Sequence, residues 1–216
     1  MPFEFFNPAK EVGVTQGHLP HWDQEGATYF ITWRTADSIP KVVWLRWRDE
    51  RDAWLLSRCI NPSADDWRRQ VEDLPEVDRQ DFRRFSKAWE HELDACHGEC
   101  VLSDPKLAEL VVGALRFFDG DRYVLGDFVV MPNHVHLLVG GMPRSAMLRQ
   151  VESWKKWSAM KINQSLGRSG RFWQDESFDH LVRNEVSFGM FRRYIADNPV
   201  RARLRKGEFV AWRREE

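Results

Sequence analysis

His134 and His136 stand one residue apart at the head of an apolar run, His134-Val135-His136-Leu137-Leu138-Val139. Side chains alternate faces along a strand, so the two imidazoles point one way and Val135 the other. Two imidazoles on one pleated face can grip a single divalent cation, although an isolated pair also fits polar residues on a solvated face. A second reactive group lies far downstream, in Phe191-Arg192-Arg193-Tyr194-Ile195-Ala196-Asp197-Asn198-Pro199-Val200-Arg201-Ala202. Tyr194, flanked by Arg192, Arg193 and Arg201, is placed to meet a phosphate; the alternative is an amphipathic tyrosine at a helix–sheet seam. Asn198, one helical turn on, shares its side. A third cluster is Cys96-His97-Gly98-Glu99-Cys100, with Cys59 and His91 earlier. Zinc is conceivable there, but Cys-x-x-x-Cys has no matching second half, so idle reduced thiols are the simpler reading.

The elements that must position these groups follow from patterning. Thr28–Thr35 is β-branched and aromatic, a strand. Asp37 or Ser38 with Pro40 opens a helix to about Leu56, whose Val43, Trp44, Trp47 and Trp54 recur at helical spacing and point to a core. Residues 57–100 are acidic and punctuated by Pro62 and Pro75, an insertion of one or two short helices. Ser103-Asp104-Pro105 caps a helix that buries Leu107, Leu110, Val111, Ala114, Leu115 and Phe118 and stops at Asp119-Gly120. Arg122–Val130 is a strand, joined through Met131-Pro132-Asn133 to the histidine strand. Pro143 and Ser145 start a helix to about Leu166, with Lys155, Lys156 and Lys161 on its wet side. A short strand falls within 171–182, and a last helix, about Val186–Asp197, is broken by Pro199. Without the insertion this is βαββαβ: an α+β, ferredoxin-like antiparallel sheet with helices on one face and a C-terminal helix carrying the tyrosine. The expected organisation is one domain, 1–216, with a core of 27–56 and 101–205, a helical insertion at 57–100 and an irregular arm at 1–26.

Composition narrows the function classes. Of 216 residues, 43% are hydrophobic and 30% charged, which excludes wholesale disorder. No apolar run reaches bilayer length and the first residues lack a basic start, so a reduced, cytoplasmic protein is expected. The net charge of −1 divides into −8 over residues 1–140 and +7 over 141–216. A basic final third on a near-neutral chain suggests an anionic partner at one face, nucleic acid being the usual one, although solvated helix faces also fit.

The runs VVMPNHVHLLV, RFWQDESFDHLVR and YIADNPVRARL resemble, in order, the REP-associated tyrosine transposases, within the single-tyrosine HUH group. GHLPHWDQEGATYFITWR and RYVLGDFVVMPNHVH extend the resemblance over most of residues 15–205. The resemblance implies a ferredoxin-like fold and metal-dependent transesterification of single-stranded DNA. It implies that Tyr194 is the nucleophile, leaving a 5′-phosphotyrosine link and a free 3′-hydroxyl. It assigns Mg²⁺ or Mn²⁺ to His134 and His136, with Asn198 completing the site where relatives carry glutamine. Lys155, Lys156, Arg192, Arg193, Arg201 and Arg203 are then the expected DNA-backbone contacts. Trp173 either stacks on an unpaired base or belongs to the core. Asp179 and His180 are candidate proton-transfer helpers. Expected partners are single-stranded or hairpin-forming repeat DNA, near the nucleoid, engaged by a monomer or homodimer. Three alternatives stand beside this reading: a non-cleaving hairpin-DNA-binding descendant, an RNA-binding module of similar topology, and a zinc protein using Cys96 and Cys100.

Overall fold

A computed structural model describes residues 3–10, 13–16, 20–94 and 96–215; the side chains of 14–23, 90, 91, 93 and 94 also fall outside the description. The chain divides into two compact units, Met1–Ser38 with Glu99–Glu216, and Ile39–Gly98.

In the first unit, β3 (Tyr29–Arg34), β4 (Val124–Val130), β5 (His134–Gly140), β6 (Phe178–Leu181) and β7 (Val210–Trp212) form one antiparallel sheet in the order β6-β3-β5-β4-β7. The first four strands have the ferredoxin-like order that the βαββαβ pattern predicts, and β7 is an added edge. Two helices, α4 (Pro105–Arg116) and α5 (Arg144–Ser165), cover one face. The alternation is strict. Tyr29, Ile31 and Trp33 of β3 and Val135, Leu137 and Val139 of β5 point into the core with Leu107, Val111, Leu115, Val151, Trp154 and Ile162. Asp104 caps α4 by accepting from the Lys106 amide at 2.9 Å, as its sequence signature predicts.

The remaining residues of β3 and β5 point to the other face, which α6 (Glu185–Arg201) crosses. Asn184 and Ser187 start that helix with a reciprocal capping box. It does not break at Pro199, as its sequence suggested, but continues to Arg201. Proline forfeits one backbone bond and ordinarily costs about 3 kcal/mol inside a helix. Here Pro199 is buried and close to the helix end, and its carbonyl accepts from the Leu204 amide at 2.9 Å. The arm is also more regular than expected: β1 (Gly13–Gln16) and β2 (Pro20–Asp23) form a hairpin. Before it, Phe3 and Phe5 pack on Phe188 of α6, with ring centroids 5.1 and 5.3 Å away.

The second unit holds α1 (Lys41–Leu56), α2 (Trp67–Glu72) and α3 (Glu76–Asp94). All of α1 belongs to this unit, which begins at Ile39 rather than at 57. Its Leu55 joins Ile60, Trp67 and Val71 in a small core, and Trp47 stacks on Trp89 at 4.6 Å. Trp44, expected inward, is 43% exposed and lies under the Arg48 guanidinium. Pro40 occupies the cap position of α1, where neither Asp37 nor Ser38 serves as a side-chain cap.

Candidate active site

The joint between β4 and β5 is buried and pinned at three points. The Met131 amide donates to the His134 carbonyl, the Asn133 carbonyl accepts from Thr35, and the Pro132 carbonyl accepts from Leu102. The joint therefore delivers His134 and His136 to the α6 face in fixed register. Their rings lie 4.7 Å apart at 75°, and both are fully buried.

Each imidazole is held from behind. His134 Nδ1 lies 2.6 Å from Asn133 Oδ1, and His136 Nδ1 lies 2.6 Å from Thr32 Oγ1. An amide oxygen accepts only, so His134 carries its proton on Nδ1 and turns a bare Nε2 toward α6. Burial holds both imidazoles well below their ordinary pKa; His136 and Arg34 push His134 down further, and Arg34 does the same to His136. Asn198 stands close enough to His134 to oppose that shift. Even so, His134 Nε2, His136 Nε2 and both amide atoms of Asn198 are buried without a hydrogen-bond partner among the described residues. A buried polar atom left unmatched costs about 1–3 kcal/mol, so four at one spot mark a place shaped for a ligand.

Tyr194 meets the pair from α6. Its ring lies 5.1 Å from that of His136, edge on, and the Arg201 guanidinium sits 5.6 Å from the centre of its ring. Phe30 underlies both, 5.6 Å from His136 and 5.8 Å from Tyr194. Asn198 adopts helical backbone despite the proline that follows and is 1% exposed. Its carboxamide thus reaches the imidazoles one turn beyond the tyrosine. The donor set of two imidazole nitrogens and one amide oxygen fits a divalent ion of borderline to hard character. Among the described residues no trio of His, Cys, Asp or Glu could hold a metal. The Asn198 amide oxygen is therefore the candidate third donor, and the zinc reading of Cys96 and Cys100 gains no support; the side chain of His91 lies outside the description.

Three other residues expected at the DNA are placed elsewhere. Lys155 is 4% exposed, its ammonium donating to the Asp175 carbonyl at 2.6 Å and to Glu152 at 2.8 Å. Trp173 is 4% exposed, packed between Trp33 and Phe172 and donating to Ser158 Oγ, so it is a core residue. Arg192 donates to Asp127 Oδ2 at 2.9 Å and to the Arg214 carbonyl at 2.9 Å. Lys156, Arg193, Arg201 and Arg203 are exposed as expected. Asp179 is tied to Arg144 at 3.0 Å, and His180, half-buried beside Phe191, has its pKa lowered by burial and then by Arg183. Thr32, Asn133, Arg34 and Asp127 carry no motif signal of their own in the sequence. Asn133 adjoins His134 in the chain, whereas Thr32 and Arg34 could be found only from the pairing of β3 with β5, which sets Thr32 against His136 and Arg34 against His134.

Residues 116–198 match the family described as "Transposase IS200 like", which bears out the resemblance read from the motifs over that segment and supports a transposase-type function. A solved structure described as "Structure of the REP associates tyrosine transposase bound to a REP hairpin" is 13% identical, with a TM-score of 0.40, covering 86% of this chain and 73% of that one. No curated protein matches the chain in sequence. No helix among the described residues is long and apolar enough to cross a membrane.

Proposed function

We propose that this chain, similar over residues 116–198 to IS200-like transposases, is a metal-dependent single-strand DNA transesterase acting on hairpin-forming repeats. The observation that carries the reading is the meeting of the Tyr194 ring with two imidazoles and one amide whose buried Nε2, Oδ1 and Nδ2 atoms have no hydrogen-bond partner among the described residues. Tyr194 Oη attacks a backbone phosphorus; the new O–P bond replaces the bond to the 3′ oxygen. The phenol proton leaves, the departing oxygen becomes a 3′-hydroxyl, and the 5′ end stays on the tyrosine. One phosphodiester replaces another, so the step is reversible and the strand can be passed to a second end. His134, His136 and Asn198 would hold Mg²⁺ or Mn²⁺, which would supply Lewis acidity to the scissile phosphate. Arg201 beside the phenol and Arg34 beside His134 bring positive charge to where the phosphate would sit. Lys156, Arg193 and Arg203 offer further phosphate contacts. With Trp173 in the core, Phe178 offers an aromatic surface to an unpaired base beside the histidines: it is 50% exposed and pairs in register with Thr32.

One chain supplies every group, which supports action as a monomer. An RNA-binding module would keep this sheet face open for stacking, whereas Phe188 and Ile195 of α6 are buried. A non-cleaving descendant is separated by experiment. Wild type with Mn²⁺ and a hairpin bearing a single-stranded flank should yield a covalent protein–DNA adduct, and Tyr194→Phe should bind the same DNA without one. Binding with no adduct in either protein would leave the non-cleaving reading standing.

A further inference from the structure

We infer that Asp127 is a positioning residue for the proposed reaction, setting the rotation of α6 and thereby the place of Tyr194. The inference rests on the reading of Tyr194 as nucleophile.

The geometry begins with an irregularity in the sheet. Leu125 pairs with Val139 and Phe128 with Leu137, so Gly126 and Asp127 together face the single residue Leu138. This is a β-bulge, a device that re-aims a side chain. Three positions apart in a regular strand, Leu125 and Phe128 would point to opposite faces; the bulge lets both enter the core and turns Asp127 toward α6. Gly126 has to be glycine here, because a Cβ would stand 2.8 Å from that of Leu138.

Asp127 is 4% exposed, and both carboxylate oxygens are used. Oδ2 accepts from Arg192 Nε at 2.9 Å, and Oδ1 accepts from the Arg214 amide at 3.0 Å. Arg192 returns to the Arg214 carbonyl, and the Arg214 guanidinium bonds Asp119 and the Leu125 carbonyl. One carboxylate thus ties β4, the tyrosine helix and the segment after β7 into one network. Beside it a cavity of about 450 Å³, lined by Gly189, Arg193, Ala196, Ala211 and Arg213, leaves this flank of α6 otherwise loosely filled.

Arg192 and Tyr194 project from opposite flanks of the helix, since two residues advance it by roughly 200°. A grip on the Arg192 flank therefore decides how far the phenol reaches toward the imidazoles. Side-chain tips lie about 5–6 Å from a helix axis, so a rotation of about 20° moves the phenol by about 2 Å. Misplacement of about 1 Å can cost on the order of a hundredfold in rate.

The test is Asp127→Asn, which keeps the shape and one acceptor for Arg214 but turns a donor or a neutral oxygen toward Arg192. In single-turnover assays with Mn²⁺ and hairpin DNA, adduct formation should slow about a hundredfold while the Kd for the hairpin changes less than threefold. With 3-fluorotyrosine incorporated, the Tyr194 resonance, identified by its loss in Tyr194→Phe, should broaden or split in Asp127→Asn. Arg192→Gln should reproduce both effects. An unchanged rate or an unchanged fluorine resonance overturns the inference, as does a rate loss that follows only the folded fraction. If Arg192→Gln chiefly weakens hairpin binding, Arg192 belongs to the DNA and the inference also fails. Absence of any adduct in wild type removes Tyr194 as nucleophile, yet the fluorine spectrum, which needs no cleavage, still decides whether Asp127 sets the ring.

Discussion

The most direct test of the proposed metal site lies behind it, at Thr32. This residue is 7% exposed, and its Oγ1 is 2.6 Å from His136 Nδ1. If His136 binds metal through Nε2, its proton is on Nδ1 and Thr32 is the acceptor that keeps it there. Thr32→Val keeps the shape and deletes the acceptor. The buried N–H is then orphaned, at a cost of about 1–3 kcal/mol, and neither tautomer is favoured. Loss of such a supporting group typically weakens metal binding about 10–100-fold. The assay is Mn²⁺ titration followed by electron paramagnetic resonance in the Tyr194→Phe background, so that cleavage does not intervene. Thr32→Val should weaken the Kd for Mn²⁺ by that factor, and Thr32→Ser, which retains the oxygen, should lie near wild type. Equal Mn²⁺ affinity in wild type and Thr32→Val would refute the tautomer argument. If wild type itself fails to bind Mn²⁺, the donor set has been misread.

Other outcomes follow from the same geometry. His134→Ala should abolish metal-dependent adduct formation, measured on a denaturing gel, with hairpin affinity largely spared. Lys156→Ala should weaken DNA binding and lower the salt slope by about 0.7 for a single-strand phosphate, whereas Lys155→Ala should leave that slope alone. Lys155→Ala should instead cost about 2 kcal/mol in urea unfolding through the charged hydrogen bonds it loses. Tyr123 donates to the Leu115 carbonyl at 2.7 Å, and burial raises its pKa above 10.0. The protonated phenol is thus favoured by folding: its stabilisation is full below pH 10.0 and fades as pH rises through the folded value. Absorbance at 295 nm during alkaline titration should show its ionisation coinciding with loss of near-ultraviolet circular dichroism, and Tyr123→Phe should remove that step.

Much of this was written in the chain order alone. The alternation of Tyr29–Arg34 and His134–Val139, the Asp104-Pro105 cap and the histidine pair follow from local periodicity, which acts within a few residues. The sequence therefore determined the strand–helix order, the shared face of His134 and His136, and the common side of Tyr194 and Asn198. It did not determine which flank of a helix meets a neighbour. Lys155, beside Trp154, carries an exposed residue's identity but is buried because the Asp175 carbonyl arrives opposite it. Pro199 signals a helix end, yet burial keeps the turn helical and brings Asn198 to the imidazoles. Thr32, Arg34 and Asp127 became visible only through strand register and a bulge, because residues far apart along the chain meet only when the sheet closes. Local chemistry chose the side chains; long-range pairing decided which of them share a site.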